Sequence, residues 1–241
     1  MNLGTFYGIG VGPGDPELLT VKAVAILGRC PHVFVPKARA DGDSVALAIA
    51  RRYVHNAAML HELVFPMTTD TAELSRSWKK SAGMLASLLS TGVDVCFLTL
   101  GDALVYSTYL YLLRELQAIL PGLTVVTVPG ITSFSAAAAL TQFPLGEGKE
   151  SLTVVPTADD LRAVRRAIDA GGTVVLMKIG TRLGQILDIL EETGVIDNAV
   201  FVQKAGHPAQ RIERNLRTLR GKSADAGYLA VILVHARKAT P

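Results

Sequence analysis

The sequence predicts an α/β protein built as two α/β domains. Three observations predict it. Short apolar runs rich in Val, Ile, Leu and Phe, of the length of buried strands, alternate along the chain with longer stretches of helical periodicity. Several of these runs end in Gly, Pro, Asp or Thr-Ser turns, at 10–16, 101–102 and 129–133. A polar, glycine-rich stretch, Gly146-Glu147-Gly148-Lys149-Glu150, interrupts the pattern and reads as a linker, which divides a domain over 1–143 from one over 144–241.

The elements follow in order. Residues 6–12 read as a strand with glycines on alternate positions, and Pro13-Gly14-Asp15-Pro16 as a turn. A helix is predicted over 17–27, with Asp15 as its N-cap, Pro16 in its first turn and Gly28 as its stop. A strand at 32–35, a helix over 44–55 and a strand at 59–67 come next. A long amphipathic helix over 72–90 carries the single tryptophan, Trp78. Residues 95–100 form a buried strand that breaks at Gly101-Asp102, followed by an apolar helical run to about residue 120. The strand at 123–128 ends in Pro129-Gly130-Ile131-Thr132-Ser133, before a small-residue helix over 134–140. In the second domain, strands are predicted at 152–156, 173–178, 199–204, 211–219 and 228–234, with helices over 161–169 and 182–193.

With 241 residues, 49% hydrophobic and 19% charged, the chain is a packed globular protein and not a disordered one. A net charge of +3 is too mild to argue for nucleic acid, and it permits an anionic small molecule. Cys30 and Cys96 form no CxxC and no metal-ligand spacing, so no metal is expected and a reducing, cytoplasmic setting is the expectation. No secretory leader is expected at the amino terminus, and no apolar run reaches the roughly 20 residues of a membrane span.

Several chemistries fall away. Gly8-x-Gly10 and Gly10-x-Gly12 place Pro13 and Asp15 where the dinucleotide fingerprint needs glycine or alanine. Gly221-Lys222-Ser223 resembles the end of a phosphate loop, but Leu216 occupies its first glycine position. There is no G-x-S-x-G, and His32, His55, His61, His207 and His235 have no metalloprotease spacing. Ligands of open α/β sheets bind at the carboxyl ends of strands, so the turn at Gly101-Asp102 reads as the floor of the site. Asp102 has an equally good reading as a turn-forming residue that bonds its own backbone. What remains is a set of turns with little acid–base machinery, suited to positioning an activated cofactor.

Three segments carry a resemblance: Gly10-Val11-Gly12-Pro13-Gly14-Asp15-Pro16-Glu17-Leu18-Leu19-Thr20, Gly101-Asp102-Ala103-Leu104-Val105-Tyr106-Ser107, and Pro129-Gly130-Ile131-Thr132-Ser133. In this order they resemble the motifs of the tetrapyrrole methylases, enzymes dependent on S-adenosylmethionine. Ala103 stands where that family usually has proline. Shorter segments, among them Val33-Phe34-Val35-Pro36-Lys37, Phe65-Pro66-Met67 and Val175-Leu176-Met177-Lys178, resemble the branch that methylates C-20 of precorrin-2 or its cobalt form.

The resemblance implies two α/β domains with a cofactor cleft between them, in a homodimer acting on a tetrapyrrole, with no nucleic acid and no membrane. It implies cofactor contacts from Pro13, Leu100, Gly101, Asp102, Val105, Thr132, Ser133, Met177, Ala205 and Gly206. Thr132-Ser133 also reads as a helix cap, and Met177 as core. The electron-rich meso carbon would attack the methyl group in line, with Asp102 as base or electrostatic partner and Lys178 and Tyr228 orienting the ring. The substrate's carboxylates would meet Lys37, Arg39, Arg211 and Arg214, each of which also reads as a solvated surface charge. Two alternatives stand beside this: a methylase of the same fold acting at another ring position or on another substrate, and a nucleotide- or NAD-binding α/β protein without methyl transfer.

Overall fold

The computed structural model describes residues 3–39, 41–65, 68, 70–156, 160–221 and 227–236. Pro66, Met67, Lys222 and Ser223, which figure in the sequence reading, lie outside the described residues. The chain divides into two compact units, 1–132 and 133–241.

The first unit holds five strands, β1 (Phe6–Gly10), β2 (His32–Lys37), β3 (Met59–Val64), β4 (Val95–Thr99) and β5 (Val125–Val128), in the order β3-β2-β4-β1-β5. Every pairing is parallel. Alternation along the strands sorts the side chains onto two faces. Ile9, Val33, Val35, Cys96 and Leu98 pack with α1 (Val21–Leu27) and α2 (Val45–Ala50). Phe6, Phe34, Val95 and Phe97 pack with α3 (Thr71–Leu89) and α4 (Tyr109–Ile119). This is a doubly wound layer arrangement with both faces of the sheet covered.

Local chemistry sets the helix starts, and some differ from the sequence expectation. Asp15 caps only a single 3-10 turn at Pro16–Leu18, accepting from the Glu17 amide at 2.8 Å. Leu19 is extended, and Thr20 starts α1 afresh by accepting from the Ala23 amide at 3.2 Å. The single helix expected over 17–27 is thus two elements, because two cap residues lie five apart in sequence. The apolar run after Gly101 is not helical from its start. Tyr106 takes φ 52, and the helix waits for Tyr109, whose amide is held by Ser107 Oγ at 3.0 Å. The helix expected over 44–55 is α2 capped by Ser44, then a separate 3-10 turn at Arg51–Tyr53.

The second unit contains α5 (Ser133–Thr141), β6 (Leu152–Pro156), α6 (Leu161–Ala170), β7 (Thr173–Met177), α7 (Leu183–Glu192), β8 (Ala199–Gln203), β9 (Arg211–Glu213) and β10 (Ala230–His235). Its sheet runs β6-β7-β10-β8-β9 and is mixed: β6 is parallel to β7, and β10 is antiparallel to both β7 and β8. Val164 and Ile168 of α6 and Ile186, Leu187 and Leu190 of α7 cover a face made by Val174, Leu176, Phe201, Ile232 and Val234. The long strand expected over 211–219 ends at Glu213. Asn215 caps a 3-10 turn at Leu216–Leu219, whose two leucines are buried in the core. The unit begins before the linker-based division at 143/144, because α5 belongs to this sheet: Arg214 donates to the Thr141 carbonyl at 2.7 Å, and Phe143 stacks on His235 at 4.0 Å.

Gly8 illustrates how tightly the first sheet takes α4. A Cβ there would lie 2.1 Å from the Tyr109 ring, which is fully buried and whose hydroxyl meets Thr127 Oγ1 at 2.6 Å. Gly8→Ala must displace the ring and should cost about 1–3 kcal/mol. Tyr109→Phe keeps the packing, loses only the hydroxyl pair and should cost about 1 kcal/mol. Urea titration of both variants, read at unchanged m, checks the order; equal costs would show that the ring moves freely.

Candidate active site

Three loops meet at the carboxyl ends of β1, β4 and β5, and they meet backbone to backbone. Val11 continues β1 by donating to the Thr99 carbonyl at 3.0 Å. Gly12 and Gly101 then form an isolated bridge, Gly12 N to Gly101 O at 3.1 Å and Gly101 N to Gly12 O at 2.8 Å. Gly130 closes the group from the third side. A Cβ on Gly130 would lie 2.1 Å from the Gly101 carbonyl oxygen, and one on Gly10 would lie 2.6 Å from the Gly130 nitrogen. Alanine at Gly10 or Gly130 would therefore drive a methyl group into main chain, which cannot rotate away.

Asp102 fastens this contact. Its Oδ1 accepts from the Leu104 amide at 2.8 Å, and its Oδ2 accepts from the Gly130 amide at 2.9 Å. The first bond is the turn expected of an Asp at this place. The second joins the loop after β4 to the loop after β5. Behind them Thr99 Oγ1 pairs with buried Ser107 Oγ at 2.8 Å, which fixes the far end of the same loop. Ala103 is fully buried in the core between the sheet and α4, so the residue that departs from the family's proline still packs.

Sequence reasoning found the loops but missed their connections. The Asp102–Gly130 bond spans 28 residues and has no local pattern. The Thr99–Ser107 pair shows in sequence only as two hydroxyl residues flanking a Gly-Asp turn.

The other candidate residues fall into two sets. In the first unit, Pro13 is buried beside Gly12, while Leu100 and Val105 are half-buried and Thr132 follows the third loop. Gly101 has both backbone groups committed to Gly12, yet nothing lies within 4 Å of where its Cβ would be. That direction is free of neighbouring atoms, although the residue itself is buried. In the second unit, Ser133 opens α5, Met177 ends β7, and Lys178 follows it with φ 57. Desolvation lowers the pKa of Lys178 from the ordinary lysine value. Ala205 is buried, and Gly206, at φ 76, donates to Gln210 Oε1 at 2.7 Å. Tyr228 is exposed just ahead of β10.

Three of the four cations expected at the substrate mouth are engaged within the protein. Lys37 Nζ meets Glu62 at 2.9 Å and Arg211 meets Glu213 at 2.7 Å, while Arg214 is spent on the Thr141 carbonyl. Arg39 is exposed and makes no ion pair among the described residues. Also among the described residues, no group of three or more His, Cys, Asp or Glu side chains is arranged to hold a metal ion, and no helix is long and apolar enough to cross a membrane.

Comparison with known proteins agrees with this geometry. The sequence profile of the Tetrapyrrole (Corrin/Porphyrin) Methylases matches residues 5–219. The chain is similar to the cobalt-precorrin-2 C(20)-methyltransferase of Salmonella typhimurium, 33% identical with 96% of each chain covered. It is also similar to the precorrin-2 C(20)-methyltransferase of a Sinorhizobium species, 31% identical over 100% of this chain and 99% of the other. Among solved structures, the methyltransferase CobJ superposes with a TM-score of 0.73 over 98% of this chain and 97% of that one, at 21% identity, a likeness of fold. The nicotinamide alternative is set aside by these findings. The three fused glycine loops, in the order and place the resemblance requires, and a match along most of the chain lead to one conclusion: the chain belongs to the tetrapyrrole (corrin/porphyrin) methylase family, whose enzymes use S-adenosylmethionine.

Proposed function

We propose that the chain methylates C-20 of precorrin-2, or of its cobalt form, in cobalamin biosynthesis. The observation that carries this reading is the end-to-end likeness to two C(20)-methyltransferases, one named for the cobalt-bearing substrate and one without it. The fused loops agree with it. Bound S-adenosylmethionine supplies an electrophilic methyl group on sulfur, so the protein's task is alignment more than acid–base chemistry.

The residues divide that task. The cofactor-binding residues of the first unit are the Leu100–Asp102 backbone, Pro13, Val105 and Thr132, and those of the second unit are Ser133, Met177, Ala205 and Gly206. Support for the first group is the Cβ-free space at Gly101 and the rigid junction beneath it. Asp102 serves as a positioning residue, since both of its oxygens hold backbone amides. Lys178 and Tyr228 orient the macrocycle, and Arg39, of the four expected cations the one without an internal partner among the described residues, meets a substrate carboxylate. Lys37, Arg211 and Arg214 shape the surroundings through their own partners. We also propose that the enzyme works in the cytoplasm as a homodimer, as its resemblance implies; light scattering of the purified protein tests the dimer.

Calorimetry with S-adenosylhomocysteine and NAD, followed by mass spectrometry and NMR of the product from precorrin-2 with and without cobalt, tests the activity. The expected result is binding of the first ligand only and a new methyl group at C-20. Methylation at a different carbon would transfer the chain to another branch of the family.

Asp102→Asn separates positioning from proton transfer. An amide presents one acceptor oxygen and turns its NH2 toward the second backbone N–H, so one of the two bonds becomes a donor–donor contact. The loss should be about 1–2 kcal/mol, seen as roughly tenfold weaker binding of S-adenosylhomocysteine. The pH–rate profile should keep its acid limb. Normal cofactor affinity together with a lost acid limb would instead make the carboxylate a base.

A further inference from the structure

An edge strand of the first sheet is attached through a pair of side chains that can take up protons. β3 stands at the end of the order β3-β2-β4-β1-β5 and pairs with β2. Of its six residues, Leu63 is the buried one. An edge strand with so little buried surface belongs to the parts of a domain that open first. Its amino-terminal half is held by His61. Nε2 of His61 lies 2.8 Å from Nδ1 of His32, a buried residue at the start of β2. The two imidazoles stack with centroids 5.1 Å apart, and His61 also stacks on Phe34 at 4.4 Å with the planes 13° apart.

The carboxyl-terminal half is pinned by other means. Lys37 Nζ meets Glu62 at 2.9 Å. Phe65, which follows β3, donates to the Lys37 carbonyl at 2.9 Å and meets the Phe97 ring edge-on at 6.1 Å. The two halves of the strand therefore answer to different chemistry.

A hydrogen bond between two imidazoles needs one N–H and one lone pair. A neutral pair meets that need. A pair with one added proton meets it too, because the donor ring carries the charge on its outer nitrogen. A second proton turns both facing nitrogens into donors and sets two positive charges side by side. The other titratable and charged groups of the neighbouring elements have partners or point to water. On β4, Asp94 accepts from the Thr5 amide at 2.7 Å. Cys30, before β2, directs its thiol at the His32 carbonyl at 3.4 Å, and Arg29 beside it is exposed. His55, before β3, accepts from the Ala57 amide at 3.2 Å. Glu73, Arg76, Lys79 and Lys80 of α3, which covers the Phe34 face, are exposed. Cys96 packs on the opposite face.

Burial first, and then the charge of His32, hold the His61 imidazole below its ordinary value. A detached strand thus takes up a proton more readily than an attached one. The hold is complete above about pH 6.5, the ordinary histidine value, and fades as the pH falls below it.

We propose that His32 and His61 are a pH-sensitive latch on β3: the amino-terminal half of the strand stays attached while the pair carries at most one added proton, and it leaves β2 when the second arrives. The Lys37–Glu62 and Phe65–Phe97 contacts persist, so the release is a local opening and not an unfolding of the unit.

Hydrogen exchange read by mass spectrometry between about pH 8 and pH 5, corrected for the intrinsic exchange rate, tests the latch. Opening of residues 59–62 should be level down to about pH 6.5 and then steepen towards tenfold per pH unit, the slope of one proton, while β1 and β4 stay level. His61→Gln offers His32 an amide that carries no charge, so its opening should stay level across the range. In the wild type, nitrogen NMR shifts of the imidazoles should show the second ring charging only as β3 loses protection, a readout that needs no variant. A level wild-type profile, the same rise in His61→Gln, or two charged rings beneath a protected β3 would overturn the latch.

Discussion

The first unit depends on three main chains approaching closer than any side chain would allow. Gly10, Gly101 and Gly130 sit where a Cβ would strike backbone or find open space, and Gly12 bonds Gly101 in both directions. This contact aligns the ends of β1, β4 and β5 and keeps side-chain bulk out of their junction. Glycine serves two purposes here. It permits the positive φ of Gly12 and Gly101, and at Gly10 and Gly130 it permits packing.

The charge of Asp102 belongs to the same constraint. Two backbone N–H groups point at one side chain, and a carboxylate is the side chain that accepts from both. The hydroxyl pair of Thr99 and Ser107 and the Tyr109–Thr127 pair carry the fastening from the loop into α4 and β5. The polar residues of this region therefore hold one another, and every buried side-chain polar atom among the described residues has a partner. A site with so few groups left for proton transfer suits a reaction in which the methyl donor arrives already activated.

Much of this was legible in the sequence, for physical reasons that differ by element. The strands of the first unit read clearly because both faces are covered, which makes them apolar at nearly every position. Asp15 read correctly as a cap, because capping is local, although what it caps is a single 3-10 turn. The reading failed where two local signals competed, as at Asp15 and Thr20, or where alternation imitated a strand. Arg211 to Leu219 alternates over its length, but Asn215 turns the chain, and Leu216 and Leu219 enter the core from a 3-10 turn. The surface cations were the least legible. A lysine or arginine looks the same in sequence whether it meets Glu62, Glu213, the Thr141 carbonyl or water.

The bridge between Gly12 and Gly101 has a consequence for how the protein is made. Its partners come from opposite ends of the first unit, and Asp102 must then wait for Gly130, which follows another helix and strand. None of these bonds repays its loop-closure entropy until the whole parallel sheet is in register. During synthesis the site is thus among the last features of its unit to form. A nascent chain that has not yet emerged past Gly130 has most of the sheet but lacks the amide that holds Asp102 Oδ2.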